Sequence, residues 1–393
     1  MSFEPEHNQG KNADAARSGR SVPFAWILVL LLAVTLLLVF LVTIRSCQVA
    51  PPGGHTDGKE TGSGGESITD SGDTAPRETE TSDESVAVTY PYAIVLRRDS
   101  YLPTTGTGTY HLSTGAIGST NAIIVDLDTL VASAELGADE RIYPASMTKI
   151  MTLMVACDAI SDLKAKVTVS KESIEFAQSH GASMAGFIYA GETCTVEDLL
   201  YGVAVKSGAE ATYMLVQYTA GSEEAFVERM NAKCRELGLT KTHFSNSVGL
   251  HSTENYTTVR EMAAIFACAL DNELCRKLLS TDVYRAEVGY VKDDGTPATY
   301  PVTMYNTLMV RMENLNTLYG KNTYKKELPN GMTVTGSKTG YIDYTDAGGY
   351  HKNFTLATYA TDGKKTYLVV TAGATATKVP LDDYQYLYKN FTD

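Results

Sequence analysis

The chain has 393 residues, with 46 acidic against 33 basic side chains for a net charge of −13, and is 44% hydrophobic. That is enough chain for one large or two ordinary domains and enough apolar material for a real core, while the acidic balance argues against nucleic acid as a partner. The six cysteines stand at no metal-like spacing and the seven histidines form no H-E-x-x-H, so neither a metal nor another cofactor is expected.

A short N-terminus, residues 1–23, precedes an uncharged apolar run at 24–44. At ~1.5 Å per residue this run is long enough to cross a ~30 Å hydrocarbon layer as a single transmembrane helix. It exceeds the ~7–15 residues of a cleavable signal's apolar region. Arg17 and Arg20 precede it closely and only Arg45 follows, which places the N-terminus in the cytoplasm and the rest of the chain outside the cell membrane. Residues 45–85 are rich in Gly, Ser, Thr, Asp and Glu and bury too little to fold, giving a disordered acidic linker. As a coil, residues 48–85 span about 35 Å.

Residues 86–119 carry no clear pattern and form a lead-in without an assigned structure. Folding begins in earnest at 120–393. Ala122–Asp126 and Leu130–Glu135 flank the turn Leu127-Asp128-Thr129 and read as a hairpin. The run from Ser146 through Met147, Ile150, Met151, Met154 and Val155 is apolar nearly all round, as a buried central helix is. Thr195 with Asp198, and Thr258 with Glu261, have the spacing of helix N-terminal capping pairs, and Gly238 that of a C-terminal cap. Thr333–Lys338, Phe354–Thr361 and Thr366–Thr371, with Asp362-Gly363 as a tight turn, give an antiparallel set, and Asp382–Phe391 a closing helix. Hairpin, helices, strands and final helix imply an α+β fold: an antiparallel sheet flanked by helices, with a helical subdomain beside it.

Chemistry concentrates in three short stretches. In Pro144-Ala145-Ser146-Met147-Thr148-Lys149 a serine and a lysine three apart share one helix face, so the amine can reach the hydroxyl. Orphan backbone N–H groups of the helix start favour an anion developing there. Downstream lie Ser207-Gly208-Ala209, at the end of an apolar helix, and Thr335-Gly336-Ser337-Lys338-Thr339-Gly340.

The combination S-x-x-K, S-x-x and K-T-G, in this order, resembles the penicillin-binding proteins. With Leu199-Leu200-Tyr201-Gly202, Asn246-Ser247-Val248-Gly249-Leu250 and Tyr341 after the last motif, residues 120–393 resemble the low-molecular-weight D-alanyl-D-alanine carboxypeptidases. The resemblance implies a β-lactamase/transpeptidase-like fold in a bacterial cell and a site between sheet and helices. It implies that Ser146 attacks the penultimate D-alanine carbonyl of a peptidoglycan stem peptide ending in D-Ala-D-Ala, and that Lys149 accepts the proton. Ser207 relays a proton to the leaving amine, and Lys338 and Thr339 hold the terminal carboxylate. Gly340 lets the peptide lie on the strand edge, and the N–H groups of Ser146 and Tyr341 form the oxyanion hole. β-Lactams would be covalent inhibitors.

Ala209 departs from the pattern, which has Asn there, hydrogen-bonding the substrate amide and the lysine, and alanine can do neither. Losing one such contact costs ~1–3 kcal/mol, a slowing rather than an abolition. Glu210 beside it points about 100° away on a helix. Three alternatives stand beside the carboxypeptidase: a weak or inactive penicillin-binding sensor or wall-binding scaffold, a DD-endopeptidase using the same residues, and a β-lactamase, against which stands the lack of any E-x-x-x-N between Ser207 and Lys338.

Overall fold

The computed structural model of the chain describes residues 89–320 and 322–392. The expected membrane span at 24–44 and linker at 45–85 lie outside these residues, and no helix within them is long and apolar enough to cross a membrane.

In chain order the strands are β1 (Thr104–His111), β2 (Asn121–Asp126), β3 (Val131–Leu136), β4 (Lys166–Thr168), β5 (Thr193–Thr195), β6 (Val283–Val291), β7 (Pro297–Tyr305), β8 (Thr333–Asp346), β9 (Gly349–Thr361) and β10 (Thr366–Ala374). The helices are α1 (Thr148–Ala159), α2 (Lys171–Ser179), α3 (Val196–Val205), α4 (Ala209–Ala220), α5 (Glu223–Glu236), α6 (Val259–Asp271), α7 (Glu273–Leu279), α8 (Thr307–Tyr319) and α9 (Val379–Phe391). A 3-10 turn, Ala145–Met147, leads into α1.

Six strands form the main sheet in the order β1-β3-β2-β10-β9-β8. The hairpin β2–β3 and the meander β8–β9–β10 are antiparallel, as the sequence suggests. Part of the unassigned lead-in becomes β1, added parallel to β3 at the far edge. Both faces of the sheet are covered, because side chains alternate along each strand. Ile123, Val125, Leu368 and Val370 enter the large core under the helices, whereas Ala122, Ile124, Tyr367 and Val369 enter a second core capped by Leu381, Tyr384 and Tyr388 of α9. Helix α1 runs through the large core, buried at every residue from Thr148 to Cys157.

Local signals explain most helix starts. Thr195 and Asp198 make a full capping box on α3. Thr258 accepts from Glu261 N on α6, but the Glu261 carboxylate turns to the N–H groups of Thr240 and Lys241, so only half of that box forms. Gly238 sits after α5 with φ +70°.

The helical part also contains a four-stranded sheet, β4-β5-β6-β7, whose long hairpin β6–β7 is largely exposed. Alternate residues of the hairpin, Tyr284, Ala286 and Val288 on β6 and Tyr300, Val302 and Met304 on β7, turn to the large core, while the residues between them face solvent. β8 and β9 run well past the expected Lys338 and Phe354, because beyond Gly340 they form an exposed two-stranded ribbon.

Candidate active site

β8 is the last strand of the main sheet, and beyond Val334, where Lys326 and Glu327 pair with its start, its outer edge forms no ladder. The 3-10 turn carrying Ser146 packs against it at Gly340. A Cβ built on Gly340 would lie 2.3 Å from Thr355 Oγ1, 2.9 Å from Ala145 Cβ and 3.0 Å from Ser146 N, so only glycine permits this approach. Gly249 does the same from the helical side. With φ +82°, its Cβ would fall 1.9 Å from the Ala145 carbonyl oxygen. Ala145 itself has φ +51°, an uncommon conformation held by these neighbours.

A cleft of about 440 Å³ opens between β8, the Ser146 turn and the helical part, and Ser146, Lys149, Ser207, Thr339, Gly340 and Tyr341 all line it. Six of the seven site residues read from the sequence therefore meet on one surface. The seventh, Lys338, is fully buried beside it. Its Nζ donates to Ser207 Oγ at 2.8 Å and to its neighbour's carbonyl, Thr339 O, at 3.0 Å. Ser207 is held with φ +60°, again left-handed, where α3 ends before α4 starts.

Lys149 Nζ lies 3.2 Å from Ser146 Oγ and 2.6 Å from Val248 O. The amine is almost completely buried. Burial pushes it down to about 7, against the opposing pull of Glu210 and Glu223. Lys338 is held well below the ordinary lysine range, first by burial and then by repulsion from Lys149 and Arg311. Tyr341 is exposed, with its ring 4.4 Å from Phe354 and its hydroxyl 3.3 Å from Asp343 Oδ2.

Ala209 does not face open space. It is buried with Ala177 and Val248 in a small apolar cluster, and its N–H donates to Ser183 O at 2.7 Å. Glu210 turns away from the cleft, as helix geometry requires. Its Oε1 accepts from the N–H groups of Ala185, Gly186 and Phe187 at 2.6, 3.0 and 3.3 Å, fastening the loop that carries Ser183. Burial raises its pKa, partly offset by these backbone donors.

Several residues of the site carry no role in the sequence reading. The segment Asn246–Leu250 is a support for the lysine and the nucleophile turn. Asn246 Oδ1 accepts from Gly249 N and Leu250 N, and Glu223 holds Ser247 through its N–H at 2.6 Å and its hydroxyl at 2.9 Å. Thr307 and Arg311, on α8, lie in the stretch before β8 that showed no motif. The Thr307 and Thr339 hydroxyls are 2.7 Å apart. A Gly flanked by Asn-x-x, as in Asn246-Ser247-Val248-Gly249, is a turn signal that could have pointed to the support loop; nothing local marks Arg311.

Residues 109–375, well over half of the chain, match the model of peptidase family S11, D-alanyl-D-alanine carboxypeptidase. The chain is 36% identical over 161 residues to the carboxypeptidase DacF of Bacillus subtilis, covering 41% of each chain. It is 31% identical over 272 residues to DacC of Escherichia coli, covering 67% of this chain and 59% of that one. The crystal structure of the Streptomyces K15 DD-transpeptidase superposes with a TM-score of 0.58 at 26% identity, covering 71% of this chain and 98% of that chain. The matched parts span 41% and 59% of the DacF and DacC relatives. From a matched region that contains the serine, both lysines and the edge strand, it follows that the chain belongs to the D-alanyl-D-alanine carboxypeptidase family.

Proposed function

We propose that the chain is a serine-type D-alanyl-D-alanine carboxypeptidase that removes the terminal D-Ala from peptidoglycan stem peptides. The observation that carries this reading is the buried amine of Lys149, at about 7, set 3.2 Å from the Ser146 hydroxyl. A lysine neutral at working pH is a base for an otherwise weak nucleophile.

The peptide adds to the free edge of β8, its penultimate carbonyl over Ser146. As the Oγ–C bond forms, the hydroxyl proton passes to the Lys149 amine. The oxyanion faces the N–H groups of Ser146 and Tyr341. When the C–N bond breaks, the leaving D-alanine amine takes its proton through Ser207, whose Oγ is held by Lys338. That proton comes from the Lys149 ammonium, which is left neutral; water then gives a proton to the Lys149 amine and attacks the ester, and as the shortened peptide leaves, the Ser146 oxygen recovers the proton from Lys149. β-Lactams acylate the same oxygen and are covalent inhibitors. Residues 24–44 anchor the enzyme in the cell membrane, with residues 120–393 as the peptidase domain on the extracytoplasmic side. The charge asymmetry of Arg17 and Arg20 around that run supports this placement.

The test uses fluorescent penicillin and, in parallel, D-alanine release from a peptide ending in D-Ala-D-Ala. The wild type labels and releases D-alanine, whereas Ser146→Ala does neither. Labelling of Ser146→Ala at the wild-type rate would remove the assignment.

A further inference from the structure

The ribbon beyond Gly340 pairs Asp343 with Lys352, Tyr344 with His351 and Thr345 with Tyr350. One of its faces is fastened to the domain: the Tyr344 ring stacks on His251 and His351, with centroids 4.3 and 5.0 Å apart, and meets the edge of Tyr143 at 5.1 Å. Side chains alternate along a strand, so Tyr341 and Asp343 share the other face. Among the described residues Asp343 is the only acidic side chain lining the cleft, and it forms no ion pair with the basic ones there, Lys149, Lys206 and Arg311. Its donors are neutral. The Tyr350 and Tyr341 hydroxyls both donate to Oδ2, at 2.6 and 3.3 Å, and no other described residue donates to Oδ1. These hydroxyls, Tyr350 foremost, hold the carboxyl below its ordinary range, with Lys352 across the ribbon adding to this by charge alone. A carboxylate with one oxygen fixed by hydroxyls and no ion pair keeps an oriented acceptor for a cation.

On the carboxypeptidase reading the terminal D-alanine lies at Thr339 and the penultimate carbonyl at Tyr341, so the preceding residue of the peptide runs on along β8 toward the ribbon. Asp343 lies two strand residues past Tyr341, roughly 7 Å, within reach of a long side chain on that residue. We propose that Asp343, oriented by Tyr350 and Tyr341, is a specificity-determining residue that binds a side-chain ammonium on the residue preceding D-Ala-D-Ala. The inference rests on the carboxypeptidase reading and names the stem peptides the enzyme prefers: those in which that amine is free. Once the amine is acylated, as in a stem cross-linked through it, the charge is gone and the charge-assisted bond is lost. Hydrolysis of the terminal D-alanine is thereby placed ahead of any acyl transfer to that amine.

The experiment compares two peptides ending in D-Ala-D-Ala that differ only in the residue before it, lysine in one and Nε-acetyl-lysine in the other. The pair forms at an exposed carboxylate, so the wild type favours the free amine by about fivefold in kcat/KM, and raising the salt from about 50 to about 500 mM brings the ratio toward one. Asp343→Asn, which keeps the shape and removes the charge, abolishes the preference mainly through KM on the lysine peptide. Asp343→Lys inverts it. Equal rates on both peptides in the wild type, a preference that survives Asp343→Asn, or losses of equal size on both peptides in that variant would each overturn the proposal. Binding of the two peptides to the Ser146→Ala protein, with and without Asp343→Asn, separates this inference from the reaction. If the wild type releases D-alanine from neither peptide the carboxypeptidase reading fails. Tighter binding of the lysine peptide that disappears with Asp343→Asn still upholds the amine subsite, and equal binding of the two peptides refutes it.

Discussion

Lys149 should be both the base of the reaction and a source of instability. Its amine moves from 10.5 in the unfolded chain to about 7 when buried. That difference of about 3.5 decades corresponds to ~5 kcal/mol against the protonated folded state. Below pH 7 both states carry the proton and the penalty is complete. Between pH 7 and 10.5 the folded enzyme has lost the proton while the unfolded chain keeps it, so stability climbs with pH, and above 10.5 the penalty is gone. Lys149→Met fills similar space without charge, but leaves Val248 O without its donor, which costs ~1–3 kcal/mol. The variant should therefore be more stable than the wild type by about 2–4 kcal/mol at pH 6, lose that advantage by pH 10, and show no acylation at any pH. Denaturant unfolding at the two pH values measures the first part. The second is the rate of penicillin acylation of the wild type, which should rise about tenfold per pH unit below pH 7 and level off above it. A wild-type rate that is flat from pH 5.5 to 8.5, or a methionine variant less stable at pH 6, would refute the neutral-lysine argument.

Gly249→Ala should be severe for so small a change, because its Cβ meets the Ala145 carbonyl at 1.9 Å and its φ is +82°. Left-handed strain and overpacking together cost about 2–4 kcal/mol, and the displaced nucleophile turn should slow acylation 10- to 100-fold; a thermal melt and a labelling time course read both. Ala209→Asn should not restore a missing function. The side chain would enter the packed cluster of Ala177 and Val248 rather than the cleft, destabilising by about 1–3 kcal/mol with no rise in D-alanine release. Increased turnover in this variant would mean that the amide reaches substrate after all.

What could be read from the sequence was whatever local chemistry determines. Thr195 and Asp198 specify a helix start within four residues, and the unbroken apolar run from Ala122 to Val125 specifies a strand with two buried faces. The helix from Ser146 is apolar on every side because it has no solvent side. The hairpin β6–β7 was missed although Tyr284, Ala286 and Val288 and then Tyr300, Val302 and Met304 recur at every second residue, the period of a half-buried strand. In the site, Ser146 and Lys149 announce each other because one helical turn brings them together. Lys338 and Ser207 are 131 residues apart, and their contact depends on how sheet and helices pack. The same holds for Val248 O, which lies 99 residues from the amine it receives. Such residues carry no local mark; their role is a property of the packing.

The packing also explains why an alanine can stand at 209. In the sequence reading, an asparagine there bonds the lysine and the substrate, and its absence leaves both unserved. Here the lysine is already held by Val248 O, in a loop fixed by Asn246 and Glu223. Ala209 supports that loop from behind by packing on Val248, while its neighbour Glu210 ties down the opposite rim at Ala185, Gly186 and Phe187. The Lys149 amine is oriented by a backbone carbonyl, and a carbonyl does not change the charge of the site.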